Sequence, residues 1–305
     1  MRDAFVEVAG SFRRAGMETP ELDARLLLGR AAGMTYEIVV ARVGESLASG
    51  AEARLQADVK RRLAGEPVSR ILGEREFYGR TFLLDPSTLD PRSDTETLIE
   101  AALDLIEKEA LRERPLWILD LGTGTGCILV TLLAELPLAT GVGTDIGEAP
   151  LAVAAANARR NGVETRAAFL AGDWLDPVSC TFDLILANPP YIATAEIEGL
   201  AREVALHDPR QALDGGADGL AAYRRIAAAT PRVLREGGML IVEIGSGQAE
   251  AVTHLLAAAG LTLRPDAVRR DLGGRPRAVL AQSGVSRDTK PPNRKNRLGK
   301  SRCSG

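Results

Sequence analysis

Cysteine and histidine are scarce in this 305-residue chain. The three cysteines, Cys127, Cys180 and Cys303, lie far apart, and the two histidines are His207 and His254. Such spacing gives neither a disulfide framework nor a zinc site, so we expect no metal. No window offers about 18 uninterrupted apolar residues, and charge interrupts the N-terminus too early for a signal peptide. We therefore expect a cytoplasmic protein that contacts no membrane.

Positive charge is concentrated at the C-terminus. The net charge is −3, and residues 283–305 hold seven Lys or Arg and one Asp, which leaves −9 on residues 1–282. An acidic body gains nothing from counterion release on duplex DNA, so extensive DNA binding is not expected outside this basic tail. The tail has few apolar residues and is predicted to be disordered. A solvated extension is the favoured interpretation, and a weak RNA or ribosome contact is the alternative.

The chain is long and apolar enough for more than one domain, with 45% hydrophobic residues. Residues 1–72 show helical periodicity and predict a small helical bundle. Residues 73–92 contain two short β-like runs around Gly79, which predict a linking β-hairpin. In residues 93–282, apolar runs alternate with helical stretches, which predicts an α/β fold with a doubly wound, mostly parallel sheet. The candidate strands are 116–121, 140–144, 167–170, 182–187 and 239–244.

Three glycines follow helical stretches in this second half of the chain. Gly162, Gly237 and Gly260 each stand where a left-handed residue would end a helix. We expect all three to be helix C-terminal glycines.

A glycine-rich turn follows the first of the candidate strands. Residues 120–126 read DLGTGTG, and a helical pattern begins at once. Glycines let the backbone approach a ligand, and the following helix N-terminus offers free N–H groups to an anion. The spacing differs from the dinucleotide G-x-G-x-x-G, and no P-loop Lys-Ser/Thr follows. The predicted contacts of this cofactor loop are Gly122, Thr123, Gly124, Thr125 and Gly126.

Asp145 ends the next candidate strand, where a carboxylate can accept hydrogen bonds from both hydroxyls of a ribose. Trp174 follows the third strand, where an indole can border an adenine. A nucleoside carrying a small anion, such as S-adenosylmethionine, fits this set best. The alternative is a structural glycine turn with a solvated aspartate and a packing tryptophan.

The fourth candidate strand ends in Asn188, Pro189, Pro190 and Tyr191. Two prolines make a stiff turn whose carbonyls are free to accept hydrogen bonds, since proline has no N–H. Asn188 adds a side-chain acceptor and Tyr191 a flat ring, which suits a planar group bearing an NH₂. That group is a carboxamide or an exocyclic base amine. The alternative is an Asx-type turn leaving a strand.

These two motifs are expected to meet. In an open α/β sheet, ligands bind at the carboxyl ends of strands where the strand order reverses, and the first and fourth strands are neighbours there. The cofactor loop would then face the Asn188 turn, with a methyl donor on one side and an acceptor nitrogen on the other. This arrangement predicts a methyltransferase.

The residues resemble those of the HemK/PrmC-type N5-glutamine methyltransferases over roughly positions 20 to 282. The resemblance lies in residues 67–79, 91–96, 120–126, 188–191, 208–219, 243–248 and 271–277. It implies a Rossmann-like class I S-adenosylmethionine-dependent fold and methylation of the glutamine in the Gly-Gly-Gln motif of class-one peptide chain release factors, with S-adenosylhomocysteine as product. Ser93 departs from the family, which usually has proline there, and the basic tail is not part of its pattern.

Carried over to this chain, the resemblance implies donor contacts at the cofactor loop, Asp145, Trp174 and Asn188. Asn188, Pro189 and Tyr191 would be catalytic, and Pro190 would join them in binding the substrate. Our own hypothesis is that residues 1–72 dock the release factor, and we expect a monomeric enzyme that requires no nucleic acid.

Two other functions remain open at this point. A DNA or RNA adenine N6 (or guanine N2) methyltransferase could use the same Asn-Pro-Pro-Tyr turn, because a base amine offers the same two donors. The acidic body disfavours a DNA substrate. A non-catalytic binding module would leave both the cofactor loop and the Asn188 turn without a use.

Overall fold

The computed structural model describes residues 1–41, 44–48 and 50–284. Predictions for residues 285–305, which include Cys303 and most of the basic tail, lie outside the described residues. In the described part of the chain, no helix is both long enough and apolar enough to cross a membrane.

The N-terminal part folds as helices that share one apolar core. α2 begins with Pro20, whose fixed φ suits a first helical turn, and Gly33 follows it with a φ of 67°. Phe12, Leu27 and Leu55 are fully buried between the helices. The helix bounds are α1 (Arg2–Arg14), α2 (Pro20–Ala32), α3 (Tyr36–Ala41), α4 (Ala51–Leu63) and α5 (Val68–Leu72).

A β-hairpin follows, as predicted. Strands β1 (Glu74–Phe77) and β2 (Arg80–Leu83) pair antiparallel around Tyr78 and Gly79, which both have positive φ. Phe77 and Phe82 stack edge to face with ring centroids 6.1 Å apart. Both rings belong to the core of the following α/β part, so the hairpin is packed onto that part of the protein.

The rest of the described chain is an α/β unit around one seven-stranded sheet. Its strands are β3 (Trp117–Leu121), β4 (Thr140–Asp145), β5 (Ala167–Ala171), β6 (Phe182–Ala187), β7 (Leu234–Glu243), β8 (Thr262–Arg270) and β9 (Pro276–Gln282). Its helices are α6 (Glu96–Lys108), α7 (Cys127–Glu135), α8 (Glu148–Arg160), α9 (Arg202–His207), α10 (Arg210–Leu213), α11 (Ala221–Val233) and α12 (Ala249–Ala258). Short 3₁₀ helices span Ser93–Thr95 and Thr194–Gly199.

The strand order across the sheet is β5-β4-β3-β6-β7-β9-β8. The first five of these strands in that order are parallel, whereas β9 pairs antiparallel with both β7 and β8. The order reverses between β3 and β6, so their carboxyl ends are adjacent, as predicted. The chain between β6 and α11, residues 188–220, runs across that end of the sheet and is called the connecting segment below.

Two apolar layers cover the two faces of the sheet. Successive residues of β3 point to opposite faces, so Ile118 packs with Leu129 of α7, and Leu119 packs with Ile226 of α11. All four side chains are fully buried. Burying a side chain of this size contributes about 1.5–3 kcal/mol, and the paired layers make the sheet a rigid platform for the loops at its carboxyl edge.

All five candidate strands are confirmed, but β8 and β9 escaped prediction. β8 carries Arg264, Pro265 and Asp266, a polar pattern that hides an edge strand. Gly162 and Gly260 follow helices with positive φ, as predicted. The prediction for Gly237 is wrong. α11 already ends at Val233, and Gly237 (φ 72°) lies in an irregular start of β7, where the register against β6 shifts.

Candidate active site

The cofactor loop turns tightly between β3 and α7. Gly122, Gly124 and Gly126 have φ values of 67°, 53° and 78°, which residues with side chains rarely adopt. The N–H of Thr123 donates to the Thr144 carbonyl at 2.8 Å, and its hydroxyl donates to Asp120 Oδ2 at 2.6 Å. The loop is therefore fixed to the neighbouring strand before any ligand binds.

A cavity of about 470 Å³ opens at this loop. Most of the predicted donor-binding residues line it, namely Gly122, Thr123, Gly124, Thr125, Asp145, Trp174 and Asn188. We call it the donor cavity. Gly126 is not among its lining residues. A Cβ at Gly126 would lie 3.1 Å from the Ala154 Cβ, so this glycine allows α7 to pack closely on α8.

Asp145 is held by backbone donors at the edge of the donor cavity. Its Oδ2 accepts from the Gly124 N–H and its Oδ1 from the Gly147 N–H, both at 3.0 Å. Each carboxylate oxygen has a second lone pair for a ligand hydroxyl. Ile146 also lines the cavity, although its side chain is more than half exposed. Sequence reasoning missed Ile146, and an apolar residue directly after a strand-end acid was the available signal.

Trp174 forms another part of the wall of the donor cavity. Its φ of 51° is in the left-handed region, which is uncommon for an aromatic residue. The ring lies so close to the cofactor loop that a Cβ on Gly122 would be 3.5 Å from it. Strained backbone of this kind is found mostly at functional sites, where the surrounding structure holds it in place.

Asp120 lies beneath the loop with no solvent exposure. Burial raises the pKa of this carboxyl group to about 7, and the hydrogen bond from Thr123 opposes the rise. Oδ1 of Asp120 is buried without a hydrogen-bond partner in the described part of the chain. The rigid glycine loop and the strand-end carboxylate of Asp145, which both line the donor cavity, together fit a nucleoside.

A second cavity of about 210 Å³ lies beside the first. Leu89, Asn188 and Ala212 line both cavities, so the two share a wall. We call the smaller one the acceptor cavity. Its other lining residues are Arg92, Tyr191, Ile192, Leu200, Val204, Leu213 and Glu243. A largely apolar pocket with a few polar groups is suited to a single side chain or a planar ring.

The structure divides the Asn188 turn between the two cavities. Asn188 lines both, Pro190 lines the donor cavity and Tyr191 the acceptor cavity, while Pro189 is buried and lines neither. Asn188 Nδ2 donates to Thr95 Oγ1 at 3.2 Å. Among the described residues, no donor is hydrogen-bonded to Asn188 Oδ1 or to the Pro189 carbonyl. Both predicted acceptors are therefore unpaired in this part of the chain, and of the two residues only Asn188 lines a cavity.

Gln248 fixes the backbone of the Asn188 turn through hydrogen bonds. Its Nε2 donates to the Tyr191 carbonyl at 2.9 Å and to the Gly219 carbonyl at 3.2 Å, and its Oε1 accepts from the Gly245 N–H at 3.0 Å. Burial raises the pKa of Tyr191 to about 12, so its ring is neutral at physiological pH. Residues 243–248 are part of the family resemblance, but sequence reasoning did not predict that Gln248 is hydrogen-bonded to the Asn188 turn.

Ion pairs tie the connecting segment to the helical part. Arg70 Nη2 lies 2.6 Å from Asp208 Oδ1 with both side chains buried, and Arg92 pairs with Asp208 Oδ2. Arg62 Nη1 lies 2.5 Å from Glu203 Oε1. Pro209, Gln211 and Ala212 next to these anchors line the donor cavity. The helical part therefore helps to position a wall of the site.

Comparison with known proteins agrees with this geometry. The family model described as the PrmC N-terminal domain matches residues 3–73, and the one described as the methyltransferase small domain matches residues 103–220. A release factor glutamine methyltransferase of Bradyrhizobium diazoefficiens is 46% identical over 276 residues, 90% of this chain and 92% of the relative. One of Rhodospirillum rubrum is 48% identical over 268 residues, 88% of this chain and 80% of the relative.

Among solved structures, the hMettl16 catalytic domain in complex with MAT2A 3′UTR hairpin 6 has a TM-score of 0.54. It is 16% identical and covers 77% of this chain and 84% of its own, which supports the fold alone. The identity to these two relatives extends over 88–90% of this chain and 80–92% of theirs. The chain therefore belongs to the release factor glutamine methyltransferase family.

Proposed function

We propose that this protein transfers a methyl group from S-adenosylmethionine to the side-chain amide N5 of the glutamine in the Gly-Gly-Gln motif of class-one peptide chain release factors. The observation that carries this proposal is the wall shared by the donor and acceptor cavities at Asn188. A group that lines both cavities can orient an acceptor nitrogen toward a donor.

The donor would be held by the cofactor loop, Asp145, Trp174 and Asn188. The Asp145 carboxylate would accept from the ribose hydroxyls, while Trp174 and Ile146 would enclose the adenine with apolar surface. The N-terminus of α7 would face the carboxylate of the methionine moiety. When bound, S-adenosylmethionine supplies an electrophilic methyl group.

The acceptor side must make an amide nitrogen nucleophilic. Its lone pair is delocalised into the carbonyl, so the site has to favour the positive charge that develops on nitrogen. Asn188 Oδ1 and the Pro189 carbonyl would accept hydrogen bonds from the two N–H groups, and Tyr191 would pack on the amide plane. The acceptor nitrogen would release one of its N–H protons to water as its bond to the methyl group forms. Because Pro189 is buried, its carbonyl can act only on a group that enters deeply beside Asn188.

The helical part is proposed to be the docking domain for the release factor, with residues 1–72 as this domain, 73–92 as the linker, 93–282 as the methyltransferase domain and 283–305 as the basic tail. Val6, Leu22 and Val40 present exposed apolar side chains in this part. A Val6→Asp, Leu22→Asp double variant is expected to raise KM for the release factor without changing donor affinity. An unchanged KM would argue against docking at these two helices.

The enzyme is further proposed to act as a monomer. A release factor substrate also favours a cytoplasmic location, and no step of the proposed reaction requires nucleic acid.

The assignment is tested by offering radiolabelled S-adenosylmethionine with three acceptors in parallel. These are an intact class-one release factor, its variant with the motif glutamine replaced by alanine, and duplex DNA. We expect label on the intact factor alone. Label on the alanine variant would overturn the proposed target atom, and label on DNA would favour a base-amine methyltransferase.

A further inference from the structure

Glu243 ends β7 at the wall of the acceptor cavity and has no place yet in the proposed chemistry. Its side chain is only 2% exposed, and Oε2 has no hydrogen-bond partner among the described residues. A buried carboxylate with an unpaired oxygen is costly, so its presence in the site calls for a role.

A short hydrogen-bond chain connects Glu243 to Asn188. Thr95 Oγ1 accepts from Asn188 Nδ2 at 3.2 Å, and hydrogen bonding from the Thr95 side chain lowers the pKa of the Glu243 carboxyl group. Thr95 is 2% exposed, so water does not compete for these bonds. The three groups come from β7, the 3₁₀ helix before α6, and the turn after β6.

The ionisation state of Glu243 determines which group donates and which accepts in each hydrogen bond between Glu243, Thr95 and Asn188. An ionised carboxylate can only accept, so the single hydroxyl proton of Thr95 must point to Glu243. The Thr95 oxygen is then left as an acceptor, and it selects the NH₂ side of the Asn188 amide. Asn188 Oδ1 is thereby left free for a ligand donor.

We propose that ionised Glu243 is a positioning residue that acts through the Thr95 hydroxyl to hold the Asn188 amide with its oxygen available to the substrate NH₂. This inference rests on the proposed glutamine methylation. Protonated Glu243 would instead donate to Thr95, whose hydroxyl proton would be released toward Asn188. The Asn188 amide would then turn and meet the substrate NH₂ with its own NH₂, which is a repulsive donor-to-donor contact.

The surroundings of Glu243 place the protonation of its carboxylate in the physiological pH range. Burial raises the pKa of Glu243 to about 7, which the Thr95 hydrogen bond and the positive charges of Arg277 and Arg92 oppose. The charge of Asp94 adds to the rise. The titratable or charged groups that face Glu243 from other elements are Arg92, Asp94, Cys127, Tyr191, Tyr223 and Arg277. Burial keeps Cys127 and both tyrosines neutral near pH 7, and the arginines stay charged.

The first test reads the Asn188 amide directly and needs no substrate. The full-length protein is labelled with ¹⁵N, and the Asn188 side-chain NH₂ signals are identified by their loss in Asn188→Ala. In the wild-type protein these signals are expected to shift with pH, with an inflection near pH 7. In Glu243→Gln the inflection is expected to disappear. An inflection that survives in Glu243→Gln would overturn the proposal.

The second test measures turnover on the release factor. Wild-type kcat/KM is expected to rise with pH through about 7, and Glu243→Gln to be slower with a flat profile over this range. Thr95→Val should lower kcat by about 5- to 10-fold, as for loss of one hydrogen bond, and Thr95→Ser should recover most of it. The control is Glu250→Gln, the same change on an exposed side chain of α12.

The outcomes separate the inference from the function on which it rests. If wild-type protein methylates the factor but Glu243→Gln keeps the pH profile, the positioning role is wrong and the function stands. If the wild-type protein labels no release factor while the NH₂ signals still depend on Glu243, the hydrogen-bond chain stands and the function is wrong.

Discussion

Replacing Asp208 by alanine is expected to destabilise the protein strongly. The Asp208 carboxylate accepts from Arg70 Nη2 at 2.6 Å, from Arg92 and from the Asp90 N–H at 3.3 Å. The Arg70 and Asp208 side chains are only 6% and 3% exposed, so the alanine variant would leave the Arg70 guanidinium buried without its counter-charge. Removing one partner of a buried pair typically costs about 3–5 kcal/mol.

That loss is a large part of the roughly 5–15 kcal/mol by which domains are stable. It is measured as the change in the free energy of unfolding from urea titrations followed by circular dichroism. The control is Asp218→Ala, because Asp218 and its partner Arg224 are each half exposed and their pair should contribute little. A double variant, Asp208→Leu with Arg70→Met, removes both charges and should recover much of the loss.

A loss below about 1 kcal/mol for Asp208→Ala would refute the reasoning, because the pair would then behave like an exposed one. Donor affinity gives a second readout. Pro209, Gln211 and Ala212 follow Asp208 and line the donor cavity, so the alanine variant should also bind S-adenosylhomocysteine more weakly by calorimetry.

Three further changes test the site. Asn188→Ala should lower kcat on the release factor by more than about 10²-fold, as for loss of a transition-state hydrogen bond, and a near-normal kcat would contradict the role of its oxygen. Asp145→Ala should weaken donor binding in calorimetry by about 10-fold or more, since it removes a charged acceptor, and equal affinity would place the ribose elsewhere. Asp120→Asn should flatten the pH dependence of stability. The pKa of this buried carboxyl is raised from 3.8 to about 7, so its contribution to stability falls as pH rises between these values. Urea titrations of the wild-type protein and the variant at pH 5 and pH 8 measure this. An equal change in the free energy of unfolding between the two pH values in both proteins would show that Asp120 does not titrate in this range.

The parts of the site that sequence reasoning found are those encoded locally. The glycines at 122 and 124 lie just before a helix, Asp145 ends a candidate strand, and Asn188 is followed by two prolines. Each of these patterns can be recognised from a few neighbouring residues alone. The α/β alternation predicts the parallel strands for the same reason, because a buried strand is a continuous apolar run.

The parts that escaped prediction depend on contacts between distant positions. Thr95 meets Asn188 across 93 positions and Arg70 meets Asp208 across 138, so neither pair has a local pattern. The sequence around Thr95 gives no sign that the fold places its side chain between the Asn188 amide and the buried Glu243 carboxylate. Edge strand β8 was missed because its exposed side lacks the apolar alternation that a buried strand needs.

The two guanidinium anchors, Arg62 and Arg70, have a practical consequence for dissecting this enzyme. A truncated protein that starts after residue 72 would lose both of them and leave Glu203 and Asp208 without those counter-charges. Such a truncation would loosen the connecting segment at the wall of the donor cavity, and it would also remove any surface that recognises the release factor. Its inactivity would not separate the two effects, whereas point substitutions on the outer helices would.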